Sequence, residues 1–265
     1  MIERACRVMD TAQRQQLREE GWCVLPGVLT ADELARGRAA FDRGIAYMRE
    51  AMGSEFDSRL DRNASNQRIY NLPAVDPFFI ELLCREDALE LAREVLGPHV
   101  LISNFTANNA LPGAESMRLH SDQALVMPPP WIHSWAANLI WCLDDVREAN
   151  GATRFLPGSH RFRSFDDLPE NAMEQTVAFE APAGSLIMME GRMWHTSGRN
   201  VTEDEQRRLL FAYYSVDFLR PQSNWSEALP QAVRDAMDDE SRHLFGLGAA
   251  GNVRIGGQLT RLESA

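Results

Sequence analysis

A chain of 265 residues with 45% hydrophobic side chains can bury a substantial core, and one domain is the simplest division of that length. Its formal charge of -11 repels a phosphate backbone with no basic stripe to oppose it, so nucleic acid is not an expected partner. No run reaches the roughly 18 apolar residues of a membrane span, and the opening MIERACRVMD has no signal-like apolar core, so a cytoplasmic protein without a membrane partner is expected.

The four cysteines, Cys6, Cys23, Cys84 and Cys142, are scattered and form no CxxC pair, which reads as buried thiols. Residues 1–98 read as mainly helical support. Asp10 or Thr11 caps a first helix that Gly21 ends, and the strand WCVL follows. Thr30 and Glu33 have capping-box spacing before a helix with Leu34, Phe41, Ile45 and Met48 on one face. The stretch 53–71 is polar and aperiodic and is expected to be a long loop, with Arg59, Arg62 and Arg68 as solvated charges. Asp76 and Pro77 open another helix, and DALELAREVLG spaces Leu89, Ala92, Val95 and Leu96 for a buried face.

From residue 99 to about 220 short apolar runs alternate with Pro, Gly and Asn: HVLISNFTANN, SWAANLIWCLDD, ATRFLPG, QTVAFEAP, SLIMME and RLLFAYYSV. They predict strands of a sandwich, barrel or jelly roll with the helices packed on the sheet. Residues 221–265 return to helix over EALPQAVRDAMDDESRHLF and end in a Gly-rich tail expected to close over the sheet or a neighbouring subunit. Monomer and homodimer both fit.

In RLHSDQ, His120 and Asp122 stand two apart, so on a strand both point to one face. His195, just after the strand SLIMME, can return beside them in a jelly roll. Two imidazoles and one carboxylate leave coordination positions open, the arrangement of non-haem Fe(II) oxygenases; Zn²⁺ also suits these ligand types. In QRRLLFAYYSV, Arg207, Leu209, Phe211 and Tyr213 share a strand face, and Arg208 lies opposite. A guanidinium among apolar neighbours needs an anion, and its planar fork matches the far carboxylate of 2-oxoglutarate. Strand alternation favours Arg207 over Arg208 for that role.

Among the remaining candidates, His160 in PGSH is expected to fasten a loop by hydrogen bonds rather than bind metal, and His133 to line a pocket mouth. His99 and His243 have no partner motif. Asn104 and Asn138, in predicted strands, are candidate pocket contacts, Asn104 towards 2-oxoglutarate. Met127, Pro128, Trp131, Trp135 and Phe105 are expected to form an apolar pocket wall.

Several blocks together, EEGWCVLPGVLTADELARGRAAFD, LHSDQ, LDDVREANGATRFLPGSH and WHTSGRNVTEDEQRRLLFAYYS, resemble the phytanoyl-CoA dioxygenase family of Fe(II)/2-oxoglutarate-dependent oxygenases, over most of the chain. The resemblance implies a double-stranded β-helix, iron on His120, Asp122 and His195, and Arg207 on the 2-oxoglutarate carboxylate. Ser197 matches a second 2-oxoglutarate contact. The gap from His195 to Arg207 looks one residue longer than usual, which keeps Arg208 open. Asp122 stands where halogenating relatives carry a small residue, so the resemblance implies hydroxylation or desaturation with O₂, releasing succinate and CO₂. The implied substrate is a small, largely apolar molecule of secondary metabolism, such as a terpenoid, polyketide, alkaloid or modified amino acid. The competing readings are a non-oxidative cupin-like metalloenzyme, isomerase or hydrolase, and a non-catalytic small-molecule-binding jelly roll.

Overall fold

A computed structural model describes residues 9–248; Cys6 and most of the Gly-rich tail lie outside them. Helix α1 (Thr11–Glu20) starts on Asp10, whose carboxylate accepts from the Gln13 N–H while the Gln13 side chain accepts from the Asp10 N–H. It ends at Gly21 in the left-handed region, before strand β1 (Trp22–Leu25). Thr30 and Glu33 form the expected capping box on α2 (Ala31–Met52).

The stretch expected to be a loop contains a strand, β2 (Asn66–Ile69), paired with the next long strand. Four residues of NQRI are too few and too polar for apolar alternation to reveal it. Helices α3 (Pro77–Leu83) and α4 (Glu86–Leu96) follow. The strands are β3 (Val100–Ala110), β4 (His120–Ser121), β5 (Ala136–Cys142), β6 (Thr153–Phe155), β7 (Val177–Ala178), β8 (Leu186–Glu190), β9 (Trp194–Ser197) and β10 (Arg207–Val216).

All pairings are antiparallel. One sheet has the order β1-β8-β5-β10-β3-β2 and the other β4-β9-β6-β7, a jelly roll with helices on its outer face. Alternation along the large sheet divides its side chains. Phe105, Ala107, Leu139, Trp141, Leu210, Ala212 and Tyr214 join the helices in the main core. Ile140, Cys142, Ile187, Met189 and Leu209 face the small sheet and pack with Phe155, Phe179 and Met193.

The tail predicted as one helix is three: α5 (Trp225–Ala228), α6 (Gln231–Asp235) and α7 (Asp239–Leu244). Pro230 and the Asp238 cap interrupt the run. The segment closes over the large sheet: Trp225, Leu229, Leu244 and Phe245 are buried, and the Trp225 indole donates to Ile102 O at 2.7 Å. Cys23 and Cys142 are buried and Cys84 is half-buried, all as free thiols. Burial pushes the Cys23 and Cys142 thiols up to about 12, so they stay protonated. Among the described residues no helix is long and apolar enough to cross a membrane.

Candidate functional site

Between the two sheets lies a cavity of about 160 Å³ whose lining includes His120, Asp122, His195, Ser197, Asn104, Asn138 and Arg207. His120 and His195 are direct cross-strand partners on β4 and β9, with ring centroids 4.3 Å apart. Asp122 does not continue the strand as expected but opens a 3-10 turn (Asp122–Leu125). Its carboxylate nevertheless meets both imidazoles, with Oδ1 3.9 Å from His120 Nε2 and 3.8 Å from His195 Nε2. One ligand atom from each residue falls within 4.8 Å of the others, the spacing of donors around one ion.

Backbone carbonyls fix which nitrogen each ring offers. His120 Nδ1 lies 3.0 Å from Arg118 O, and His195 Nδ1 lies 3.0 Å from Met193 O. A carbonyl can only accept, so each Nδ1 carries the proton and each Nε2 presents a lone pair to the triad. Burial, helped by His120, pushes the His195 imidazole down to about 4, which keeps it in the neutral form that binds metal.

Arg207 lies on the inner face of β10, fully buried. Asn108 Oδ1 accepts from one Nη at 3.1 Å, while Nε and the other Nη have no partner. Burial pushes the guanidinium down to about 10, leaving it cationic at neutral pH. Arg208 points the other way and forks onto Asp144 at 2.8 Å through each of Nε and Nη2. A second cation, the half-buried Arg68 of β2, lines the same cavity and forks onto Asp61 at 2.6 and 2.7 Å, so the expectation of a solvated charge is corrected. The donor set fits iron and a dicarboxylate: three neutral or anionic ligands converge, and a buried cation keeps two unspent donors aimed into the cavity.

Ser197 lines the cavity and its Oγ accepts from Met117 N–H at 3.0 Å. A Cβ on the next residue, Gly198, would stand 2.5 Å from Ala152 O, so the chain behind Ser197 requires glycine for this approach of β9 to β6. Asn104 lines the cavity too, well away from Arg207. It faces Tyr213, six positions along β10 from the Arg207–Ala110 pair, roughly 20 Å along the strand, so it cannot share a small carboxylate with Arg207. Its amide instead donates to Gln222 Oε1. Asn138, opposite Tyr213 on the other edge of β10, donates from Nδ2 to Asp122 Oδ2 at 2.9 Å.

The expected apolar wall is corrected. Phe105 alternates outward between Asn104 and Thr106 and packs edge-on to Phe79 in the helix-side core. Trp131 is buried against Phe165, with its indole donating to Val126 O at 2.7 Å. Trp135 packs on Phe218, and Met127 is 61% exposed. None of them lines the cavity, which is mostly polar, with Met117 and Phe211 as its apolar members. His160 is buried against Gly21, away from the triad, and His133 is exposed.

Asn108, Thr106, Tyr213, Gln222, Arg68, Thr153 and Thr196 complete the lining and were not singled out for it by sequence reasoning. The alternation Asn104, Thr106, Asn108 carried the signal for β3. Gln222 had none: a bulge at Ser103 breaks the β3–β10 register, and Ser103 Oγ and O hold the Gln222 and Ser223 N–H groups at 2.9 Å each.

The family model described as phytanoyl-CoA dioxygenase matches residues 17–209. Dioxygenase af480 of Aspergillus fumigatus is 43% identical over 252 residues, 95% of this chain and 81% of the relative. Multifunctional dioxygenase ausE of Penicillium brasilianum is 28% identical over 88% of this chain and 81% of its own length. The crystal structure of HygX from Streptomyces hygroscopicus, solved with nickel and 2-oxoglutarate, superposes with a TM-score of 0.66 at 15% identity, covering 81% of this chain and 90% of that one.

Proposed function

The chain belongs to the phytanoyl-CoA dioxygenase family, and from that premise we propose that this Fe(II)/2-oxoglutarate-dependent dioxygenase hydroxylates an unactivated C–H bond of a small, largely apolar molecule of secondary metabolism. The observation that carries the reading is one cavity holding both the His120, Asp122 and His195 cluster and the unpaired nitrogens of buried Arg207. Iron with 2-oxoglutarate and O₂ supplies an oxidant strong enough for such a bond, with succinate and CO₂ as co-products.

The protein's own residues bind and orient. His120, Asp122 and His195 hold the metal, with the His tautomers set by Arg118 O and Met193 O. Arg207 takes the far carboxylate of 2-oxoglutarate in a fork, and Ser197, which lines the same cavity, is a second contact for it. At the other end, Asn104, Tyr213, Asn138 and Gln222 form a polar row that orients the substrate's oxygen or nitrogen functions over the triad. Met117 and Phe211 offer the cavity's apolar surface to the substrate skeleton.

Arg207 favours this reading over the non-oxidative alternatives, since a metal site that needs no second anion would have no use for it, and Asp122 favours hydroxylation or desaturation over halogenation. The test is succinate formation by anaerobically purified protein given Fe(II), ascorbate, 2-oxoglutarate and then O₂, with and without fractionated natural-product extracts. Iron-dependent succinate that falls at least tenfold in Arg207→Ala supports the reading. Metal-loaded protein that yields none under any condition overturns it.

A further inference from the structure

Asn138 occupies the middle of β5, bracketed by Met189 of β8 and Tyr213 of β10, so its backbone is fixed on both edges. Its Nδ2 donates to Asp122 Oδ2 at 2.9 Å. The other carboxylate oxygen, Oδ1, is the one that approaches the two imidazoles. A carboxylate can only accept here, so the amide must present its NH₂ to Asp122 and turn its oxygen elsewhere. That oxygen is buried and without a hydrogen-bond partner. What distinguishes this amide is the group it serves: its donor is spent on the carboxylate of the triad. The Asp122 main chain is held from the same row, where the Tyr213 hydroxyl donates to Asp122 O at 3.1 Å.

We propose that Asn138 is the positioning residue that commits Asp122 Oδ2 to a hydrogen bond outside the triad, so that Oδ1 is the oxygen Asp122 would present to a metal. The proposal rests on the reading of the triad as a metal centre. Outer-shell partners of this kind orient a ligand and typically account for 10- to 100-fold in metal affinity. Without the Nδ2 donor the carboxylate would be free to rotate, and Asp122 would be held less firmly for a metal and for the co-substrate bound beside it.

The test is calorimetric titration of the full chain with Ni(II), followed by titration of the Ni(II)-loaded protein with 2-oxoglutarate. Asn138→Leu, close in volume and without a donor, is expected to bind Ni(II) about 10- to 100-fold more weakly, and Asn138→Asp at least as weakly because two carboxylates then face each other. Once loaded, Asn138→Leu is also expected to bind 2-oxoglutarate more weakly, whereas Arg207→Ala loses 2-oxoglutarate without losing Ni(II). Thermal melts in EDTA identify any variant that fails to fold, and Asn138→Ser, smaller and tolerant of a solvated site, then replaces it. A purely structural role would lower the melting temperature and leave Ni(II) affinity unchanged. Affinity within twofold of wild type in the folded Asn138 variants overturns the proposal. Wild-type protein that fails to bind Ni(II) overturns the metal reading, and the role of Asn138 with it.

Discussion

Arg207 gives Asn108 a single hydrogen bond of 3.1 Å, and that bond orients a cation whose other donors remain unpaired in a fully buried site. Asn108 is itself held, donating to Asn66 Oδ1 at 3.3 Å, so the guanidinium stands on a short chain of amides between β10, β3 and β2. A half-satisfied buried charge costs stability in the absence of its anion. Arg207→Met is therefore expected to leave the ligand-free protein as stable as wild type or more so, while 2-oxoglutarate affinity falls on the order of 100-fold, the loss of a forked, charge-assisted contact. Arg208→Ala should do the reverse: it breaks the fork to Asp144, lowers stability by about 1–3 kcal/mol and leaves 2-oxoglutarate affinity near wild type. Urea denaturation and calorimetry on the two variants measure both halves, and a loss of 2-oxoglutarate binding in Arg208→Ala alone would reverse the assignment.

His160 makes stability depend on pH. Burial, with Arg161 and Arg192 nearby, pushes its imidazole down to about 4 from the ordinary 6.5. On acidification the unfolded chain therefore takes up this proton before the folded chain does. Stability is independent of His160 above about pH 7.5 and falls as the pH drops from about 6.5 to 4, by at most ~1.4 kcal/mol per unit. His160→Gln should flatten that part of the profile measured by urea denaturation between pH 4.5 and 8. An unchanged slope would place the pH dependence elsewhere.

Asp61 is buried and pairs with the half-buried Arg68, their side chains 2% and 14% exposed, and Arg68 also reaches Met117 Sδ at 3.0 Å. Asp61→Ala leaves a cation buried without its counter-charge, and the expected loss is about 3–5 kcal/mol. Replacing both partners, as Asp61→Leu with Arg68→Met, should recover most of that stability because no charge is then stranded. If chemical denaturation finds the double variant as unstable as the single one, the pair is worth more than its desolvation cost.

The cluster of His120, Asp122 and His195 was legible because the chemistry it could do is carried by residue type: two His and an Asp near strand ends. Arg207 was legible from alternation alone, since a period of two sends Arg207 and Arg208 to opposite faces. The same rule, applied to the neighbouring strand, would have turned Phe105 outward and Asn108 inward, because Asn104 and Phe105 cannot both face the cavity. Arg68 and Gln222 were not legible. Their places depend on a four-residue polar strand and on a bulge, which pair with distant segments and leave no periodic trace. Nor does any local pattern say that Asn138 meets Asp122, a contact made across 16 residues by the closing of the roll.

Gln123 follows Asp122 directly and is completely buried. Its N–H donates to Gly191 O at 2.8 Å, its Nε2 to His133 O at 2.8 Å, and its Oε1 accepts from Trp135 N–H at 2.7 Å. One side chain thus ties the far end of the loop 124–134 back to its start, beside Asp122, although that loop exposes Leu125, Met127 and Ile132. Gln123→Leu keeps the bulk and removes both side-chain hydrogen bonds, stranding the His133 carbonyl and the Trp135 N–H, at about 1–3 kcal/mol for each group that stays dry. The expected result is a loop that opens to solvent: faster hydrogen exchange at the Trp135 amide, faster proteolysis between 124 and 134, and weaker Ni(II) binding because Asp122 begins the same turn. Gln123→Glu keeps the acceptor for Trp135 but turns an oxygen towards the His133 carbonyl, so its exchange rate should fall between the two. Unchanged protection of the Trp135 amide in Gln123→Leu would mean that the loop is held by its contacts with Phe165 and Phe218 rather than by this residue.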